Sequence, residues 1–387
     1  MKQPLTFKRI AFLLHLWLGL ATGVVVFIVS ITGCIYAFEK EIRLLTEPWQ
    51  NVPVKHQSFM PPSALNHKAV TWLKTQDDTC AITSMRGIHY YPHGKSSVAW
   101  YIHPANGYTV VYQNPYTGDV LAHKSLRHDV LRVLFAGHYS LWLPYQVGKP
   151  IVGWSILLFV VVMISGLVLW WPKHFNGSAL KGRLLLNLKT SWKKLVYDLH
   201  NVLGFYVALV AIIIALTGLV WAFSWFDKAW YFTLSGGQSI PAASSPVSDT
   251  THVAAFTSGV AEDHVWQRIV DAHPLNVGSD RLQFADQSND PIIVTVNPDD
   301  HTYYKRETHY FDRYTLTEMT GHGIYDQKFS DASTGDKIYR MNYDIHSGSV
   351  LGLPGRILAF IASLICASLP VTGFVLWWNK RKRRIAK

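Results

Sequence analysis

The chain alternates long apolar runs with long polar segments. Four runs stand out: Ile10–Phe38, Ile151–Trp171, Val202–Phe226 and Ile357–Trp378. Each holds about 20 or more residues without Asp, Glu, Lys or Arg, enough for a helix to cross a hydrocarbon core roughly 30 Å thick. The pattern predicts four membrane-spanning helices. Two polar segments of about 100 residues, Glu39–Leu134 and Asp227–Tyr343, separate the first run from the second and the third from the fourth. They show the period-two alternation of strands, as in YTVVYQNPYTGDVLAH (Tyr108–His123), broken by Asn-Pro and Thr-Gly turns. Helices are predicted over Pro62–Leu73 and Ala261–Ala272, and the Ser/Pro-rich stretch Ser239–Ser248 reads as a loop. Each polar segment therefore reads as a small α+β domain outside the membrane.

The pattern also repeats. His15 and His200 are each followed four residues later by glycine (Gly19, Gly204), and seventeen residues later by Thr-Gly-x-x-aromatic-Ala-Phe (Thr32–Phe38, Thr217–Phe223), at a constant offset of 185. GLVLWWPK (Gly166–Lys173) answers GFVLWWNK (Gly373–Lys380), with paired tryptophans of the kind that collect at membrane interfaces. His138 and His346 lie upstream of these two motifs. Each half reads span, outer domain, span, so the expected fold is a four-transmembrane-helix bundle made of two tandem repeats. The expected boundaries are a first membrane helix over 1–38, an outer domain over 39–134, and an interfacial segment with the second helix over 135–171. A basic loop over 172–197 leads to the third helix, 198–226. The second outer domain takes 227–343, an interfacial segment with the fourth helix 344–378, and a basic tail 379–387.

Charge adds orientation. The net charge is +11, from 36 Lys/Arg against 25 Asp/Glu. Residues 1–9, the loop Pro172–Tyr197 and the tail Asn379–Lys387 carry three, six and six basic residues and no acidic one. Basic residues on alternate sides of the spans place both termini and the short loop in the cytoplasm and the polar segments outside. The charge is thus a topology signal and marks no nucleic-acid surface. The start, Lys2, Lys8 and Arg9 before an apolar run that reaches Ile31-Thr32-Gly33-Cys34, has features of a cleaved signal. The run continues to Phe38 and its counterpart in the third span lacks the cysteine, so an uncleaved helix is expected. Cys34 and Cys366 lie in spans and only Cys80 outside, which implies no disulfide framework.

Most of the 18 histidines are scattered through polar segments without metal-ligand spacing: His56, His67, His89, His93, His103, His123, His252, His264, His273, His301 and His309. His128 and His322 fall near element edges, and His174 in the basic loop. Four histidines recur instead in matched positions. His15 and His200 sit six residues beyond Arg9 and Lys194, about 9 Å in from those anchors, and can face each other across the bundle. His138 and His346 precede their Trp-Trp motifs by 33 and 32 residues, longer than a span, with Pro144 and Pro150 interrupting one copy and Gly352, Pro354 and Gly355 the other. That pair belongs at or just above the outer interface. Zinc needs three or four ligands, and no Cys, Asp or Glu accompanies these positions. Two imidazoles from different helices inside a bundle suit a haem iron, and two axial histidines suit electron transfer.

LHLWLG…TGCIYAFEKE, NPYTGDVL, GWSILLFVVVMISGLVLWWPK, DLHNVLGFY and SLPVTGFVLWWNKRK together resemble the PepSY-associated transmembrane helix family, and within it the inner-membrane ferric-siderophore reductases of the ferrioxamine type. The resemblance covers nearly the whole chain. It departs in the second outer domain, where Tyr314-Thr315-Leu316-Thr317 replaces the Tyr116-Thr117-Gly118-Asp119 of the first. It implies a bacterial inner-membrane, multi-pass protein with two PepSY-like periplasmic domains and two b-type haems. His15 and His200 would hold the inner haem and His138 and His346 the outer, and electrons would pass outward to reduce Fe(III) in periplasmic siderophores. No Gly-rich dinucleotide fingerprint follows a strand, so the donor is expected to be a membrane quinol or a separate reductase. Lys149, Arg132 and Arg356 are candidates for pairing with haem propionates. The competing readings are a haem-free, membrane-anchored PepSY binding or regulatory module, a transporter built on repeats, and a haem reductase of other ferric or cupric chelates. The first leaves four matched histidines unexplained, and the second lacks an acidic residue within the apolar runs.

Overall fold

The computed structural model of the chain describes residues 6–76, 84–172, 177–252, 256–257, 259–274 and 277–385. Cys80 and His174 lie outside them. In chain order the elements are α1 (Phe7–Tyr36), α2 (Glu39–Thr46), α3 (Pro62–Thr75), β1 (Gly87–Tyr90), β2 (Ser97–His103), β3 (Gly107–Gln113) and β4 (Val120–Ser125). There follow α4 (Val130–Ser140), α5 (Tyr145–Trp170), α6 (Gly177–Leu184) and α7 (Trp192–Asp198), and a π turn, Leu199–Leu203, that leads into α8 (Gly204–Ala222). After α9 (Ser224–Leu234) come α10 (Val260–Ala272), β5 (Ser279–Gln283), β6 (Ile292–Asn297), β7 (Glu307–Phe311) and β8 (Glu318–Met319). The chain closes through α11 (Thr334–Arg340), α12 (Asn342–Ser347) and α13 (Gly352–Ile385). Two compact units result: a helical one, running to Glu39, over Val133–Trp230 and from Tyr343 onward, and a polar one over Lys40–Arg132 and Tyr231–Asn342.

Four helices of the helical unit are long and apolar enough to cross a membrane: Phe7–Tyr36, Tyr145–Trp170, Trp192–Ala222 and Ser349–Lys382. This is a multi-pass membrane protein. The third of these helices starts at Trp192, ten residues before its apolar run, and so takes in an acidic residue that the run lacks. Asp198 is almost fully buried there, and Lys194 Nζ donates to it at 2.6 Å one turn away, pairing the charges within the helix. Around the bundle α1 packs on α5 and α13, and α8 packs on the same two, which puts α1 and α8 on one diagonal and α5 and α13 on the other. Val26, Phe159, Met163, Val207, Ala211 and Cys366 pack together in the bundle interior, with small alanines letting the backbones approach.

The polar unit differs from the two separate domains expected. All eight strands form one antiparallel sheet in the order β4-β3-β2-β1-β5-β6-β7-β8, with β1 of the first segment paired to β5 of the second. Either segment alone would leave β1 or β5 as an unpaired edge, and the pairing satisfies both. Gly87 makes the junction tight, since a Cβ there would lie 2.4 Å from the Leu282 carbonyl oxygen. The core under the sheet mixes both segments: Leu65 and Leu73 of α3, Trp266 and Ile269 of α10, Ile88, Leu282 and Val294. Tyr90 stacks on Trp266 at 3.8 Å, and Asp263 of α10 accepts bonds from the Ser63 backbone (2.8 Å) and hydroxyl in the first turn of α3. The segment lacking the turn glycine makes the same turn as its counterpart. Gly118 N donates to Asn114 O (2.7 Å) with φ +72°, and Leu316 N donates to Asp312 O (2.8 Å) with φ +58°. Leu316 holds a left-handed conformation that costs a non-glycine residue on the order of 1 kcal/mol, while its side chain packs against the core.

Candidate functional site: two histidine pairs

The helical unit brings the four matched histidines together as two pairs. The ring centroids of His15 and His200 are 6.0 Å apart with planes crossed at 86°. Those of His138 and His346 are 6.1 Å apart and crossed at 68°. His15 lies on α1 and His200 in the π turn leading into α8. His138 lies on α4, just before α5, and His346 on α12, just before α13. Each pair therefore joins the two halves of the chain. His15 and Gly33, the residue that receives His138, are 18 positions apart on α1, so the two pairs are separated by about 27 Å along that helix.

Each ring is held in the same way. His15 Nδ1 donates to Val162 O (3.0 Å), His138 Nδ1 to Val29 O (2.9 Å) and His346 Nδ1 to Ile214 O (2.9 Å). His200 Nδ1 reaches its carbonyl through a hydroxyl: it bonds Thr372 Oγ1 (3.0 Å), whose own proton goes to the Leu369 carbonyl (3.1 Å). A carbonyl only accepts, so Nδ1 carries the proton and Nε2 keeps its lone pair. Tying off Nδ1 to a backbone carbonyl is the arrangement that fixes a ligating histidine's tautomer. Four residues after each of these carbonyls stands a glycine on which the ring rests: Gly166 for His15, Gly33 for His138, Gly218 for His346 and Gly373 for His200.

This arrangement presents two imidazole nitrogens per site. Two metal–nitrogen bonds of about 2 Å and two ring radii of about 1.1 Å predict centroids about 6.2 Å apart when both rings ligate one metal. The observed 6.0 and 6.1 Å fit that spacing. Among the described residues no cluster of three or more His, Cys, Asp or Glu could hold an ion, so a site built from three or four protein ligands is not formed there. A third histidine couple, His273 and His309 with centroids at 6.2 Å, lacks the pattern, because both nitrogens of His309 face carboxylates, Nδ1 at 2.7 Å from Glu318 and Nε2 at 3.8 Å from Glu307. Other scattered histidines have local partners, as His93 with the Tyr116 hydroxyl (2.9 Å) and His123 with the Tyr101 hydroxyl (2.9 Å). His128 and His322 are exposed.

Near the second pair, Trp221 meets the His346 ring edge-on at 5.3 Å. The three basic candidates stack on aromatic rings: Arg356 over Phe38 (5.9 Å), Lys149 over Tyr145 (5.1 Å) and Arg132 over Tyr108 (6.0 Å). Arg132 also lines a surface cleft of about 370 Å³ in the polar unit with Tyr108, Leu126 and Arg127. Behind this cleft Tyr108 stacks on Trp100 (5.4 Å), and Arg281 covers Trp100 at 4.8 Å. Both charged side chains of the lining are arginines. Nearby Asp129 is bound by Arg43 (2.8 Å) and Lys124; burial raises its carboxyl, but these cations more than offset that and hold it well below the usual range. Arg132 and His138 lie six residues apart on α4.

Sequence reasoning named the histidines but missed their seats. The signal was present in part: each seat is a Ser/Thr-Gly step, at Thr32-Gly33, Ser165-Gly166, Thr217-Gly218 and Thr372-Gly373, although the first span holds another such step, Thr22-Gly23, that faces Pro370 instead of a histidine. No curated protein matches the chain. A family model described as PepSY-associated TM region matches residues 12–380, nearly the full length, and the chain belongs to that family.

Proposed function

We propose that the protein is a di-haem reductase of the bacterial inner membrane that carries electrons outward to Fe(III) in periplasmic ferric siderophores. The observation that carries this reading is the pair of matched sites: two histidines each, about 6 Å apart, with Nδ1 protons committed and Nε2 lone pairs available. His15 and His200 would hold one b-type haem and His138 and His346 another, and a haem so held would supply one-electron transfer. The apolar packing of Val26, Phe159, Met163 and Cys366 keeps water and ions out of the bundle interior, which favours electron passage over ion transport. The basic termini and loop support a cytoplasmic location for both ends, leaving the polar unit periplasmic.

The substrate step is a one-electron reduction. Fe(III) bound by hard anionic oxygens becomes Fe(II), the bonds weaken, and iron exchanges to another ligand while the siderophore leaves intact. The donor, a membrane quinol or a separate reductase, loses one electron for each iron reduced. The cleft of Tyr108, Arg127 and Arg132 supports chelate binding there, because two guanidinium groups beside an aromatic wall suit an anionic ligand. The test is stopped-flow mixing of dithionite-reduced protein, freed of excess reductant, with a ferric siderophore while a ferrous-specific dye traps the product. Haem reoxidation matched by one Fe(II) per electron supports the proposal. Equal rates with every ferric and cupric chelate assign a broader reductase, and no reoxidation refutes the substrate class.

A further inference from the structure

We propose that one Ser/Thr-Gly step in each membrane helix, Thr32-Gly33, Ser165-Gly166, Thr217-Gly218 and Thr372-Gly373, is a positioning socket that sets whether its histidine can ligate, and that the sockets are reciprocal within each half of the chain. The further Thr22-Gly23 step of α1 packs against Pro370 and seats no ring. This inference rests on the haem reading above. α1 carries His15 and the socket for His138, while α5 carries the socket for His15 and follows His138. The second half does the same: His200 seats on Gly373 of α13, and His346, just before α13, seats on Gly218 of α8. Each half thus presents one finished histidine to each site, and a site is completed only by the other half.

The glycines are needed for closeness. A Cβ at Gly33 would stand 2.8 Å from His138 Cε1 and 3.0 Å from Nδ1, nearer than real contacts of this kind. At Gly166, Gly218 and Gly373 the nearest ring atom would be 3.0, 3.1 and 3.2 Å away. The ring cannot simply retreat, because Nδ1 is bonded to the carbonyl one turn below the glycine. The hydroxyl beside three of the glycines adds a contact to Nδ1: Ser165 at 3.3 Å, Thr217 at 3.2 Å and Thr372 at 3.0 Å. Two other glycines of the spans serve as controls. At Gly19 and Gly204 the nearest atom to a new Cβ is an aliphatic carbon at 3.9 and 3.6 Å, ordinary contact. In a helix without sockets, glycine to alanine is stabilising, so helix propensity alone predicts a gain at all six positions.

The experiment uses the full chain in detergent, with haem per chain from a pyridine haemochrome assay and low-temperature EPR of the oxidised protein. His15→Ala and His138→Ala assign the signals, and the crossed ring planes predict strongly anisotropic low-spin lines at both sites. Gly33→Ala should lower haem from two per chain to one and remove the His138/His346 signal while keeping the other, which itself shows the variant folded. Gly166→Ala should remove or shift the His15/His200 signal, with Gly373→Ala the mildest, and Gly19→Ala and Gly204→Ala should keep both. Two unchanged signals in Gly33→Ala, or equal damage from Gly204→Ala, overturn the socket while leaving the haem reading standing. A wild-type protein without haem overturns both.

Discussion

Asp280 offers a sharp test of the polar unit. It lies in β5, which joins the two segments, with its side chain buried and Oδ2 lacking a hydrogen-bond partner. Burial pushes its carboxyl up to about 7, against a smaller opposing effect of the Asn297 backbone N–H. An unfolded aspartate titrates near about 3.9. The folded value is the higher one, so the folded state holds the proton more tightly. The resulting stabilisation is complete below about pH 4 and is lost as pH rises through about 7. At 1.36 kcal/mol per pH unit, this interval gives an upper bound of about 4 kcal/mol. Asp280→Asn removes the titration and preserves the shape. The assay is thermal unfolding of wild type and variant followed by tryptophan fluorescence from pH 4 to pH 8. Subtracting the two curves cancels the other titrating groups. The variant should gain on the wild type as pH rises, by at most about 8–16 °C for a unit of this size. A flat difference, or a variant that loses more at pH 8 than at pH 4, would refute the buried-carboxyl argument.

Further outcomes follow from the same geometry. Arg340 is fully buried, donates to the carbonyls of Tyr304 (2.9 Å), Gln327 (3.0 Å) and Arg306, and stacks on Tyr325 and Phe329. Arg340→Ala leaves three carbonyls unpaired and should cost about 3 kcal/mol or more, measured as a lowered unfolding temperature. The double change Arg127→Glu with Arg132→Glu should raise the half-saturating concentration of an anionic ferric chelate about tenfold without altering haem per chain; an unchanged value removes the cleft from the account. His200→Ala and His346→Ala should each halve the haem content, and should differ in which EPR signal is lost.

The spans were legible because length and hydropathy suffice to identify them. The early start of the third was not, because Lys194 reads as a charged loop residue and Asp198 as the first residue of the helix until their pairing within one turn cancels the cost of burying the acid. The histidines were legible through recurrence in matched positions of the two halves, at an offset of 185 for His15 and His200 and of 208 for His138 and His346. Their sockets were harder to see, since Ser/Thr-Gly steps are common wherever membrane helices pack closely, and only the ring contacts distinguish these four. The continuous sheet leaves no mark in sequence: β1 meets β5 through backbone hydrogen bonds between residues nearly 200 positions apart. The turn at Leu316 misled through its missing glycine, because the Asp312 carboxylate accepts from the Tyr314 and Thr315 N–H groups and holds the loop without it.

The central claim is that two histidine pairs each hold a haem, and the most direct measurement is an optical spectrum of the purified full chain, oxidised and dithionite-reduced, with a pyridine haemochrome count. The account predicts two b-type haems per chain, falling to one in His15→Ala and in His138→Ala and to none when both are replaced. A protein made with ample haem that carries none, or that keeps two in either single variant, would contradict it.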